Sequence, residues 1–135
     1  MLAFVVELEN RPGELARMAE TISSKGINIT GFTGATCGDT GSVCLLTNDE
    51  SATRRALLDA KYKATERELV VATIPDKPGS LADVARRLAT AGVNIEAALP
   101  TGMSGSSIHI AFATDDAAKA RAALGDTVMS GSTTR

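Results

Sequence analysis

The chain has 135 residues, 44% of them apolar, and a formal charge of −2. That length suits one average domain or two of half the size, and that apolar share excludes a disordered chain. The charge excludes the basic footprint of a nucleic-acid or anionic-membrane binder.

Leu2–Leu8 is a short, apolar, β-branched run and is expected to be a strand. Glu7 and Glu9 follow at once, with neither the basic start nor the A-x-A site of a secretory signal. No stretch approaches the roughly 18 apolar residues of a membrane span. Both features lead to the expectation of a cytoplasmic protein. Arg11-Pro12-Gly13 comes next, with the proline expected at the first helical position, where its missing N–H costs nothing. Leu15, Met18, Ala19 and Ile22 recur at helical spacing and predict one buried stripe, closed by a left-handed Gly26. A second strand over Ile27–Thr36, a turn at Gly38–Gly41 and a third strand over Val43–Thr47 follow. Asn48, Asp49 and Ser51 form a capping cluster before a helix over Ala52–Asp59, and Tyr62–Arg67 is expected as a fourth strand. Cys37 and Cys44 flank the turn. Their spacing leaves a cross-hairpin disulfide open, but a reducing cytosol favours two buried or half-buried thiols.

The same order returns. Leu69–Ile74 is a strand, Lys77-Pro78-Gly79 a turn, and Leu81, Val84, Ala85 and Leu88 a helical stripe ending at Gly92. Val93–Leu99 and Ile108–Ala113 are strands around a turn at Gly102–Ser107. Thr114, Asp115 and Asp116 cap a helix over Ala117–Leu124, Thr127–Met129 is a last strand, and Ser130–Arg135 a loose tail. Sliding the sequence by 66 residues without a gap gives fourteen identities over residues 2–60. Several are Gly, Pro and Asn, which specify backbone shape, so one module is expected twice. The expected domains are residues 1–66, residues 67–129 and a tail at 130–135. The expected fold class is α+β: two ferredoxin-like βαββαβ modules, each an antiparallel sheet with both helices on one face, packed side by side. Tyr62–Ile74 reads as one long bent strand shared by two sheets.

With Phe4, Val6 and Leu8 facing the helices, Ala3, Val5 and Glu7 face away. On the third strand Ser42, Cys44 and Leu46 are expected inward and Val43, Leu45 and Thr47 outward; Leu69, Val71 and Ala111 also face out. So apolar an outer face implies burial against another subunit, hence a homodimer.

Asn10-Arg11-Pro12-Gly13-Glu14-Leu15 followed by Gly26-Ile27-Asn28-Ile29 resembles the ACT domain, a regulatory amino-acid-binding module attached to enzymes of amino-acid metabolism. Asp76-Lys77-Pro78-Gly79-Ser80-Leu81 followed by Gly92-Val93-Asn94-Ile95 resembles it equally. The resemblance covers residues 1–129 and implies a free amino acid bound where two modules meet. It places ligand against Asn10 with its turn and Asn28-Ile29, and against Asp76 with its turn and Asn94-Ile95. The chemistry suits a zwitterion. A helix start offers N–H groups and a positive dipole end to a carboxylate, and glycine lets a ligand approach the backbone. Asparagine supplies both a donor and an acceptor, and Asn28 and Asn94 are expected beside their turns. Asp76, charged where Asn10 is neutral, would accept from an ammonium and repel a carboxylate. Leu8 and Ile74, apolar where serine-binding relatives carry a polar residue, lean toward a branched or other apolar amino acid. The structural alternative is that Asn10 and Asp76 cap helices while Asn28 and Asn94 stabilise turns.

The expected function is thus a sensor that binds a free amino acid and regulates an associated enzyme or regulator of amino-acid metabolism. A ligand-independent interaction or dimerisation subunit is the alternative. No catalytic residue, metal or cofactor is expected. His109, aligned with Val43 on the outward face, has no nucleophile and acid at recognisable spacing. Gly34–Gly41 is glycine-rich but lacks the lysine of a phosphate loop. Aromatics at 3% are too few for base stacking on a sheet.

Overall fold

The structure, a computed structural model, describes residues 1–129, so the expected tail at 130–135 lies outside the described residues. The chain runs β1 (Leu2–Glu9), α1 (Glu14–Ser23), β2 (Ile29–Cys37), β3 (Thr40–Thr47), α2 (Glu50–Asp59), β4 (Ala64–Pro75), α3 (Ser80–Thr90), β5 (Ile95–Ser104), β6 (Ser107–Thr114) and α4 (Ala117–Leu124), then a 3-10 turn at Gly125–Thr127. It divides into two compact units, a first comprising Leu2–Arg67 and a second comprising Met1 with the chain from Glu68 onward. The boundary falls within the twelve residues of β4, so that strand contributes to both. No helix among the described residues is long and apolar enough to cross a membrane.

In the first unit the strand order is β2-β3-β1-β4, with β3 antiparallel to both β1 and β2. Phe4 and Val6 of β1 pack with Val43 and Leu45 of β3 against Met18 and Ile22 of α1 and Leu57 of α2. Both helices therefore cover one face. Phe4 lies opposite Leu45 and Val6 opposite Val43, and residues directly opposite in a ladder share a face. This corrects the expected facing of β3: Val43 and Leu45 point to the helices, and Ser42, Cys44 and Leu46 point away. The second unit has the order β5-β6-β4, with Val128 bridging to Ala72 on the remaining edge. Val70, Ala72 and Phe112 pack there against Val84 and Leu88 of α3 and Leu124 of α4. The expected last strand over Thr127–Met129 is reduced to that single bridge, because the 3-10 turn takes up Thr127. As expected, Leu69, Val71 and Ala111 lie outside the helix-side cluster, but with Ala3, Cys44 and Leu46 they are buried within the chain itself, so this face does not need the second subunit that the sequence led one to expect.

The ungapped 66-residue frame holds only as far as the second strands. β5 has a register shift between Pro100 and Gly102, and the extra residue, Thr101, moves later equivalents to 67 apart. Gly38 and Gly105, both at positive φ, open the two hairpin turns, and Asp49 and Asp116 are the two helix caps. Over residues 38–59 the corrected frame carries seven identities against five. His109 therefore corresponds to Ser42, not Val43. It pairs across the ladder with Thr73, and its Nδ1 lies 2.9 Å from the Thr73 hydroxyl.

Helix starts also differ from expectation. α1 begins at Glu14 after an N-cap Gly13 with φ of 89°, and α3 at Ser80 after Gly79 with φ of 92°. Pro12 and Pro78 thus precede the caps and shape the turn instead of occupying the first helical position. Leu15 and Leu81 are 49% and 55% exposed and leave the buried stripe, which begins with Glu14 and Ser80. Gly26 and Gly92, both at φ of 73°, close the helix ends as expected. Cys37 lies opposite Thr40 and Cys44 opposite Thr33, so the hairpin does not bring the thiols together. Both are free. Cys37 is exposed, contrary to expectation, and burial pushes the Cys44 thiol up.

Candidate functional site

The turn after β1 is tied to the β2–β3 hairpin. Asn10 donates its backbone N–H to Asp39 O at 2.8 Å and its Nδ2 to Gly38 O at 2.9 Å, which leaves Oδ1 as an acceptor. Gly13 adopts the left-handed conformation, and a Cβ added there would meet nothing within 4 Å, so its backbone is open to an approaching molecule. Glu14, only 9% exposed, is held by Arg17 at 2.9 Å and Arg11 at 3.3 Å. Glu14, with Tyr62 behind it, pushes the Arg17 guanidinium further up from its already high range. Arg11 also reaches Glu9 at 2.8 Å.

This turn borders a cleft of about 360 Å³ within the first unit. Asn10, Arg11, Glu14 and Leu15 form one wall. Phe32, Gly34 and Thr36 of β2 and Gly41 and Val43 of β3 contribute the other. The register explains the hollow. Gly41 lies between Leu8 of β1 and Thr36 of β2, so this row on the helix side of the sheet lacks its middle side chain. Phe32 faces the same side but sits on the edge strand and stays 61% exposed. The cleft therefore joins a polar rim, with donors and acceptors of both charges, to an apolar wall. A second depression of about 580 Å³ shares Leu8, Thr36 and Gly41 with it and opens toward Glu7, Cys37 and Lys63.

Of the residues singled out in the sequence, the structure gathers Asn10, Arg11, Glu14 and Leu15 along this cleft, with Pro12 and Gly13 in the same turn. It does not bring Asn28 there. Asn28 precedes β2 at the opposite end of α1, roughly 15 Å of helix away from Gly13. Its N–H is taken by Asn48 Oδ1 at 2.9 Å, and Ile29 packs against the core. Asn94 and Ile95 repeat that arrangement, with Asp115 Oδ1 accepting from Asn94 N at 2.9 Å. The expectation that each asparagine adjoins its own turn is therefore corrected. A strand that follows an α1 running back along the sheet must start at the far end.

The second turn has the same backbone. Asp76 N–H donates to Ser106 O at 2.8 Å and Asp83 N–H to Gly79 O at 2.9 Å. Its side chains differ. Ser80, in the place of Glu14, is buried and its hydroxyl has no hydrogen-bond partner among the described residues. Lys77 and Pro78 stand in the places of Arg11 and Pro12. Phe32, Gly34, Gly41 and Val43 were not anticipated as cleft residues. The glycine-rich Gly34–Gly41 segment was a signal for the two glycines alone, and it matches no ligand motif by itself.

No family model and no curated protein matches the chain. Solved structures share its fold. Protein BT0572 from Bacteroides thetaiotaomicron is 22% identical, with a TM-score of 0.79 over 95% of this chain and 90% of that one. The regulatory subunit of aspartate kinase from Thermus thermophilus is 20% identical, with a TM-score of 0.63 over 91% and 86%. That from Thermus flavus is 19% identical, also at 0.63, over 91% and 88%. The fold is ACT-like, α+β with antiparallel strands and four helices.

Proposed function

We propose that this chain is a cytoplasmic, non-catalytic regulatory protein made of two ACT modules, and that it senses a free amino acid with an apolar side chain. The observation that carries the reading is the cleft at the start of α1, where a two-signed polar turn meets an exposed apolar wall. The positive end of α1 and Arg11 suit the ligand carboxylate, and Asn10 Oδ1 and Glu9 suit its ammonium. Leu15 and Phe32 suit its side chain. A cleft of this size takes a free amino acid, at the small end of ordinary ligand sites. The cleft acids Glu9 and Glu14 are paired with arginines, an arrangement suited to holding a charged ligand. The twice-repeated Pro-Gly and Gly-x-Asn-Ile motifs, and the fold shared with regulatory subunits, support the same reading.

Asn28 and Asn94 each lie at the far end of the helix from the turn of their own unit, and a second copy of the chain, in a homodimer, would supply such an asparagine to the site. Regulation then follows if ligand favours one arrangement over another, since only differential affinity shifts an equilibrium. The output passes to an associated enzyme or regulator of amino-acid metabolism.

Thermal melts of the full chain against each of the twenty amino acids test this. A specific ligand at 100 times its Kd adds about 2.7 kcal/mol, and Leu15→Glu abolishes that gain. The exposed Leu15 and Phe32 also favour a rival reading, a ligand-independent interaction subunit. Melts unmoved by every amino acid would establish that rival.

A further inference from the structure

We infer that the chain binds one ligand, in its first unit alone, and that Ile108 closes the equivalent place in the second. This rests on the proposed amino-acid site and adds its stoichiometry and the residues that decide it. In the first unit the row Leu8, Gly41, Thr36 has a gap at the glycine, and the gap is the floor of the cleft. In the second unit the same row reads Ile74, Ile108, Met103. Ile108 packs against the helix-side core there, where the first unit has no side chain at all.

Three other differences act in the same direction. Phe32, the apolar wall, corresponds to Ala98: each lies opposite the core residue of the neighbouring strand, Leu45 in one case and Phe112 in the other. Gly34 corresponds to Pro100, whose ring occupies the edge strand beside the bulge. Glu14, which orients two arginines, corresponds to Ser80, whose hydroxyl has no partner.

The bulge explains how a branched side chain is accommodated. A Cβ at Gly41 would lie 3.0 Å from Ala35 O and 3.1 Å from Thr36 Cγ2, so any larger residue there would require β2 to give way. In the second unit the chain gains Thr101 beside this spot, and the shifted register of β5 makes room for Ile108. One inserted residue thus converts an open floor into a filled one.

Equilibrium dialysis of the full chain with radiolabelled L-leucine, L-isoleucine, L-valine and L-phenylalanine tests the inference. The bound amino acid is expected to plateau at one per chain. Leu15→Glu takes that plateau to zero; Phe32→Ala is read in its place should Leu15→Glu not fold by circular dichroism. Ile108→Gly combined with Ala98→Phe raises the plateau toward two. A plateau of two in the unmodified chain overturns the inference and leaves the amino-acid site standing. A plateau of one that survives Leu15→Glu and Phe32→Ala overturns the inference too, and with it the placing of the amino-acid site in this cleft. A double variant that folds and stays at one overturns the role given to Ile108. No binding of any of the four removes the apolar ligand class and this inference together.

Discussion

Glu14 and Ser80 hold the same place, the first residue of a helix after a left-handed glycine, and both are buried. Their partners separate them. Glu14 carries two arginines, whereas the Ser80 hydroxyl is desolvated with nothing to bond. Ser80→Ala removes an unpaired polar group and forfeits no hydrogen bond, so stability is expected unchanged or raised by up to about 1 kcal/mol. Glu14→Ala takes Arg17 from its carboxylate partner while Arg11 keeps Glu9, both on the surface, and is expected to lower stability modestly. Urea unfolding of the two variants compares them; equal losses would mean that Ser80 has a partner in solution. Neither residue was legible as buried. Helical periodicity found Met18 and Ile22 but assigned the first turn to Leu15. The buried row runs Glu14, Met18, Ile22 in one helix and Ser80, Val84, Leu88 in the other. Its first member is polar in both, so apolar periodicity starts the stripe one residue too late.

Strands and helices were legible wherever a backbone demand names a residue. Gly26 and Gly92 stop the first helices, Asp49 and Asp116 cap the second ones, and Gly38 and Gly105 begin two-residue hairpin turns. The facing of β3 was not legible. Its run Val43–Leu46 is apolar on both faces, so alternation gives no phase and only the register with β1 decides. The two caps also show how alike the second helices are, and where they part. In the first unit the Thr47 hydroxyl lies 2.7 Å from Thr53 Oγ1, which bonds back to Asp49 O at the same distance. The second unit has Thr114 in the place of Thr47 and Ala120 in that of Thr53, and the Thr114 hydroxyl is buried without a partner. Ala120→Ser supplies the missing hydroxyl and is expected to raise stability by roughly 0.5–1 kcal/mol, less the small helix-propensity cost of serine. Thr53→Ala removes both bonds of the Thr53 hydroxyl, leaves the Thr47 hydroxyl only its 3.3 Å donation to Asp49 O, and is expected to lower stability by about 1 kcal/mol. Differential scanning calorimetry reads both. A loss on Ala120→Ser would mean that Thr114 is satisfied by water, which the new hydroxyl displaces.

At the scale of the whole molecule, two units with the same element order carry unlike surfaces at the same place. The order was legible because Pro-Gly and Gly-x-Asn-Ile recur at one spacing. The cleft was not, because its floor is a side chain that is absent from Gly41, and that absence matters only once three strands are in register. The same motif therefore marks a turn in both halves and an open cleft beside it in one. This asymmetry makes amide hydrogen exchange of the full chain discriminating. Ligand at 100 times its Kd suppresses openings that release it by about 100-fold. With whichever apolar amino acid binds, slowed exchange is expected in Glu9–Leu15 and Thr33–Val43. Rates in Asp76–Leu81 and Thr101–Ile110 are expected to stay as they were. Equal protection of both turns would mean that Ile108 is no barrier and that the two halves bind alike. Protection confined to the second turn would place the ligand where the structure offers a filled row, and the link from Gly41 to function would fail with it.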